Sequence, residues 1–145
     1  MKTRNFKAMG AAVALLLGMG VSSSAQAFSV TQGLGVSPVA TDIIRFTCPA
    51  GTASVRGQIT DAGLPVAAPR VRLGLLSVTG IMPVVQSAQE GPSIVVGRAA
   101  GAGIQWALIT KDLAGVENYS ARINCFNAAG VAIGTVGAPI LTQNQ

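Results

Sequence analysis

The sequence predicts an all-β fold: a single antiparallel β-sandwich or jelly roll of about seven to eight short strands, preceded by a cleavable signal peptide. Three observations predict it. Apolar and polar residues alternate with period two through much of the chain. Glycine and proline, 18 and 7 of the 145 residues, interrupt that alternation at short intervals. No segment after residue 27 carries a convincing helical repeat.

The elements follow in order. Lys2, Arg4 and Lys7 form a positive head, residues 8–21 an apolar run, and Ser22-Ser-Ser-Ala-Gln-Ala27 a small-residue tail. That is the layout of a secretory signal, with Ala25-Gln26-Ala27 as the cleavage motif and the cut between Ala27 and Phe28. The remaining 118 residues suffice for one domain and one core. Residues 28–39 mix Gly, Ser and Pro with scattered apolar side chains and read as an extended arm, with an edge strand ending at Pro38. The sandwich domain then spans 40–145.

Within it, residues 40–48 place Ile44, Phe46 and Cys48 on one face and Arg45 and Thr47 on the other. After Pro49-Ala50-Gly51, residues 53–61 alternate cleanly, with Val55, Gly57 and Ile59 on the apolar phase. A Pro-rich turn leads to a strand over 70–78 carrying Val71, Leu73 and Leu75. Residues 79–92 read as a long loop or short irregular strand, 93–98 as a short strand, and 104–111 as a strand with Ile104, Trp106 and Leu108 on its apolar phase. The clearest strand is 118–124, where Tyr119, Ala121, Ile123 and Cys125 oppose Asn118, Ser120, Arg122 and Asn124. A turn at 127–130 leads into 131–135, and Ile140-Leu141 adds a last short pairing.

Composition excludes several functions. The net charge of +5 includes three basic residues that leave with the signal. The seven that remain are spread singly, so no clustered phosphate-binding surface, and no nucleic-acid partner, is expected. The one long apolar run is shorter than the ~20 residues of a spanning helix, so the mature chain is not expected to span a membrane. Histidine is absent, which removes Ser-His-Asp and Cys-His catalysis and His-liganded zinc. With no nucleophile–base constellation, the chain reads as a non-enzyme without a cofactor. Two cysteines 77 positions apart in an exported chain imply a Cys48–Cys125 disulfide and a periplasmic or extracellular location. Closing so long a loop contributes about 4 kcal/mol in the chain-entropy picture.

The candidate sites are sparse. Asp42, Asp61, Asp112 and Glu117 are the acids available to a hard cation such as calcium, but no loop signature accompanies them, and solvated strand-end and turn positions account for them better. Trp106 and Tyr119 form a candidate stacking platform for a sugar or peptide, although their phase favours core packing, with the Tyr119 hydroxyl bonding backbone at a strand corner. Asn118-Tyr-Ser120 matches the N-glycosylation acceptor pattern. Gly97-Arg-Ala-Ala-Gly-Ala-Gly103 lacks the Gly-Lys-Ser/Thr ending of a phosphate loop and reads as turn glycine.

Two resemblances follow from particular residues. Phe46-Thr-Cys-Pro-Ala-Gly-Thr52, Asn118-Tyr-Ser-Ala-Arg-Ile-Asn-Cys125, Gly134-Thr135 and the terminal Gln143-Asn-Gln145 resemble a group of small exported proteobacterial β-sandwich proteins of unknown function. More distantly, Thr41-Asp42 before an Ile/Phe strand and the late Asn118-Tyr119 strand resemble the non-catalytic jelly-roll domains appended to secreted bacterial peptidases. The second resemblance implies a binding or export role, and neither brings catalytic residues. Only 10% of residues are charged, far below the usual ~25%, which suits a chain that associates with a protein partner or with itself. The expected function is therefore binding or assembly at the cell envelope or outside the cell. The alternatives are a pilus-type subunit using strand donation and a carbohydrate- or calcium-binding module.

Overall fold

The computed structural model describes residues 27–61, 70–76, 83–86, 92–93 and 95–144. Nine strands lie in these residues: β1 (Phe28–Leu34), β2 (Thr41–Cys48), β3 (Thr52–Asp61), β4 (Val71–Leu76), β5 (Val84–Gln86), β6 (Val96–Ala99), β7 (Gly103–Lys111), β8 (Glu117–Asn127) and β9 (Val136–Asn144). They form two antiparallel sheets, one of four strands in the order β1-β8-β3-β6 and one of five in the order β5-β4-β7-β2-β9. The expected all-β sandwich is what the chain forms. Residues 1–26, which carry the expected signal, and the Pro-rich connection 62–69 lie outside the described residues.

The pairing is nested. β4 pairs with β5, β3 with β6, β2 with β7 and β1 with β8. One long hairpin folded over on itself produces this order, the winding of a jelly roll. β9 adds a strand on the far side of β2.

Period-two alternation fills the space between the sheets. β2 turns Ile44, Phe46 and Cys48 inward, β3 Val55 and Ile59, β4 Val71, Leu73 and Leu75, and β8 Tyr119, Ala121, Ile123 and Cys125. Each large aliphatic side chain so buried contributes roughly 1.5–3 kcal/mol. A Cβ at Gly57 would lie 2.8 Å from Cδ2 of Leu73, so the glycine makes room for that leucine. The Cys48–Cys125 disulfide joins β2 to β8, and hence sheet to sheet, with a Cα–Cα distance of 5.8 Å.

Three expectations need correction. The first is the arm. The expected edge strand is there, but it ends at Leu34 and not at Pro38, and it belongs to the sandwich, pairing with β8 over seven positions from Phe28–Ile123 to Leu34–Glu117. Phe28 and Leu34 are buried at the two ends of that strand. The second is the C-terminal region. Residues 131–135 contribute only a bridge at Ala132, whereas β9 runs for nine residues along β2. Gly137 and Pro139 hide that strand from a pattern reading. They sit where the β2–β9 register shifts, at the sheet edge, where proline is tolerated. The third is the phase of β7. Gln105, Ala107, Ile109 and Lys111 face the core, while Ile104 and Trp106 face solvent. Both phases of β7 carry apolar residues, so alternation alone does not choose between them.

Candidate functional site

The reversed phase of β7 creates the main surface feature. Strand pairing places Leu76, Trp106, Arg45 and Ile140 side by side across the outer face of the five-stranded sheet. The next row holds Val84, Gly74, Leu108, Ile43 and Thr142. Ile104, Thr47 and Val136 make a third. Trp106 is 42% exposed, Ile104 50%, and Val136 and Ile140 55% each. The only charge in these rows, Arg45, lies with its guanidinium carbon 5.8 Å from the Trp106 ring centroid, a cation–π contact that lays its stem along the apolar surface. The outcome is a contiguous apolar face in water. Such faces on soluble domains mark interaction sites.

The opposite outer face is its counterpart. There β1, β8 and β3 present rows Ser29–Arg122–Gln58 and Thr31–Ser120–Thr60, followed by Asn124–Arg56. Every one of these side chains is polar or charged.

The acids expected at solvated positions are mostly interior. Asp42 and Glu117 are essentially inaccessible and Asp61 is buried, at the end of the sandwich away from the disulfide. The Tyr119 hydroxyl donates to Oδ2 of Asp42 at 2.6 Å, crossing from sheet to sheet rather than bonding backbone at its corner. Burial and this carboxylate push the Tyr119 hydroxyl well above the ordinary tyrosine range. Gln143 of β9 also donates to Oδ2 of Asp42, at 3.4 Å. Beside them, Glu117 is pushed up to about 7, first by burial and then by its hydrogen bond and proximity to Asp61, with Lys111 opposing. The Lys111 ammonium, itself lowered by burial, donates to the carbonyls of Gly35 and Gly115 and so ties the loop after β1 to the β7–β8 turn. Asp112 sits apart at the rim, accepting from the Arg70 backbone N–H at 2.7 Å and lying 3.9 Å from Arg72.

These residues hold the fold's end together. No group of three or more His, Cys, Asp or Glu that could hold a metal ion occurs among the described residues. Of the expected aromatic pair, Tyr119 is in the core as anticipated, while Trp106 is the exposed one; the two therefore form no common platform. Ala27 and Phe28, the expected cleavage residues, stand at the head of β1. Asn118 is exposed next to buried Tyr119. Sequence reasoning missed the apolar outer face because it depends on which phase of β7 points inward. The strand itself carried no signal for the correct phase, because Gln105 and Lys111 make the inner stripe look external.

No protein-family model matches the chain, and no curated protein matches it.

Proposed function

We propose that the chain is an exported, non-catalytic β-sandwich that works by binding or assembly at the cell envelope or outside the cell, and that the apolar outer face of the five-stranded sheet is its contact surface. The observation that carries this reading is the solvent-facing row Leu76–Trp106–Arg45–Ile140. Aromatic and Arg side chains together are typical anchors of protein interfaces. The signal-type N-terminus motivates export, and the disulfide is compatible with an oxidising location. The absence of histidine and of a nucleophile–base set favours binding over catalysis.

The occupant is a second protein surface, in the simplest case another copy of this chain. Light scattering on the oxidised protein, beside Trp106→Asp and Ile140→Asp, tests it. A defined oligomer that both substitutions reduce to monomer supports the reading. A wild-type monomer at every accessible concentration overturns self-assembly. Association unaffected by either substitution would remove this face from the contact.

A further inference from the structure

The end of the sandwich that holds Tyr119 and Asp42 carries a feature separate from the contact face proposed above, and the inference from it stands whether or not that face is used. Two connections meet there, residues 35–40 between β1 and β2 and residues 112–116 between β7 and β8. Both cross from one sheet to the other. A backbone bond joins them, from the Gly115 N–H to the Val36 carbonyl at 2.9 Å. The buried Lys111 ammonium braces the junction from beneath by donating to the carbonyls of Gly35 and Gly115.

Three observations bear on what this tip meets. First, Val39 is 72% exposed and Val36 and Val116 65% each, the highest values for large apolar side chains among the described residues, and Leu113 is exposed beside them. They stand on loops rather than on a flat sheet, and no aromatic residue is among them. An interface with a folded protein is normally anchored by aromatic and Arg side chains, as the Trp106 face is. Second, the backbone acceptors of the tip are already in use. Besides Gly35, Val36 and Gly115, the Ser37 carbonyl accepts from the Ala40 N–H at 3.0 Å and the Val39 carbonyl from the Thr41 hydroxyl at 3.0 Å. Pro38 has no N–H to satisfy. Hydrocarbon offers backbone no partner, so a segment enters it at low cost only where its polar groups are bonded internally. Strand addition by a peptide would need the same groups open. Third, charge is confined to the root. Residues 35–40 and 113–116 carry none. Behind them Asp112 accepts from the Arg70 N–H at 2.7 Å and lies 3.9 Å from Arg72. The other acids of this end, Asp42, Asp61 and Glu117, are buried, so two arginines against one accessible carboxylate leave the collar net positive.

We propose that this tip enters the interface of an anionic lipid bilayer, with Val36, Val39, Leu113 and Val116 below the headgroups and Arg70 and Arg72 level with the lipid phosphates. Long basic side chains reach back to the headgroups while the aliphatic groups go deeper. Each basic group near an anionic surface strengthens binding in a salt-dependent way. A tip of a few aliphatic side chains holds the chain on the surface of the bilayer, reversibly and without crossing it.

Flotation of the oxidised protein, purified as exported, with vesicles of phosphatidylcholine alone or mixed with phosphatidylglycerol tests this. The protein should float with the mixed vesicles and less with phosphatidylcholine alone, and the difference should shrink as salt rises. Val39→Asp and Leu113→Asp should each weaken vesicle binding roughly tenfold or more, because a carboxylate cannot follow the aliphatic groups into the interface. Val131→Asp replaces a similarly exposed valine in the β8–β9 connection, at the disulfide end, and should leave flotation unchanged. Melting temperatures within a few degrees of wild type establish that each variant is folded. The proposal is overturned if the protein floats with neither composition, if the tip variants float like wild type, or if Val131→Asp loses flotation as fully as they do. Loss of self-association in the tip variants, with flotation intact, would assign the tip to a protein partner and overturn it as well.

Discussion

β2 and β8 are tied across the core twice, by different means. At one end the tie is covalent, between Cys48 and Cys125. Six residues earlier on each strand, at the other end, it is the hydrogen bond from Tyr119 to Asp42. Around the disulfide the plug is small, with Gln105 accepting from Arg98 and donating to the carbonyl of Gly101 at 3.1 Å. Around the hydrogen bond the interior gathers Asp61, Lys111 and Glu117. One end thus answers to redox conditions and the other to pH, although both perform the same mechanical task of holding β2 against β8. Buried charge is a costly way to close a sandwich, since each ion must be desolvated before it is paired.

The largest expected effect comes from breaking the covalent end. Reduction, or Cys48→Ala with Cys125→Ala, should lower stability by about 4 kcal/mol in chemical denaturation. Identical unfolding curves with and without reductant would show that the polar end suffices alone. The next effect belongs to that polar end. Folding raises the Glu117 carboxyl from 4.5 to about 7. Between these values the folded chain keeps a proton that the unfolded chain has released, so the contribution is fully present below pH 4.5 and is lost as pH rises through 7. Denaturation at a series of pH values should find this loss on the order of 3 kcal/mol. Glu117→Gln should flatten the slope and stabilise the chain at pH 8 relative to wild type; a slope that survives the substitution would assign the effect elsewhere.

Tyr119→Phe sharpens the comparison further. It removes a donor from a buried carboxylate while keeping the ring in the core, at an expected cost of about 1.5–3 kcal/mol by equilibrium unfolding. A cost below about 0.5 kcal/mol would make the disulfide the only consequential tie between these strands. The smallest change in stability should follow Trp106→Thr on the outer face, within about 0.5 kcal/mol of wild type even where association is lost. A large loss would mean that Trp106 serves packing and not contact.

Much of this architecture was legible in the sequence, and the reasons for the rest are specific. β2, β3 and β8 were readable because each pairs a mostly apolar phase with a polar one, as in Tyr119, Ala121 and Ile123 against Ser120, Arg122 and Asn124. The disulfide was readable because the sequence holds two cysteines and so permits one intramolecular pairing. β7 was misread because Ile104, Trp106 and Leu108 are as apolar as Ala107 and Ile109, and its inner phase begins and ends with Gln105 and Lys111, residues that look external until their partners are seen. The buried acids were missed for a related reason. The partner that makes Asp42 tolerable inside is Tyr119, 77 residues away, and only the folded chain brings the two together.

The nested pairing also determines when this protein can fold. β4 and β5 are near neighbours, but β1 must wait for β8, its partner across the range from Phe28–Ile123 to Leu34–Glu117. A chain delivered from its N-terminus, out of a ribosome or through a narrow channel, therefore cannot close its four-stranded sheet until β8 has emerged. Non-local pairing of this kind folds slowly, because the entropy of closing the largest loops is lost before the contacts form. The same winding leaves β1 without its partner strand until β8 arrives, while the inner pairs are free to form first.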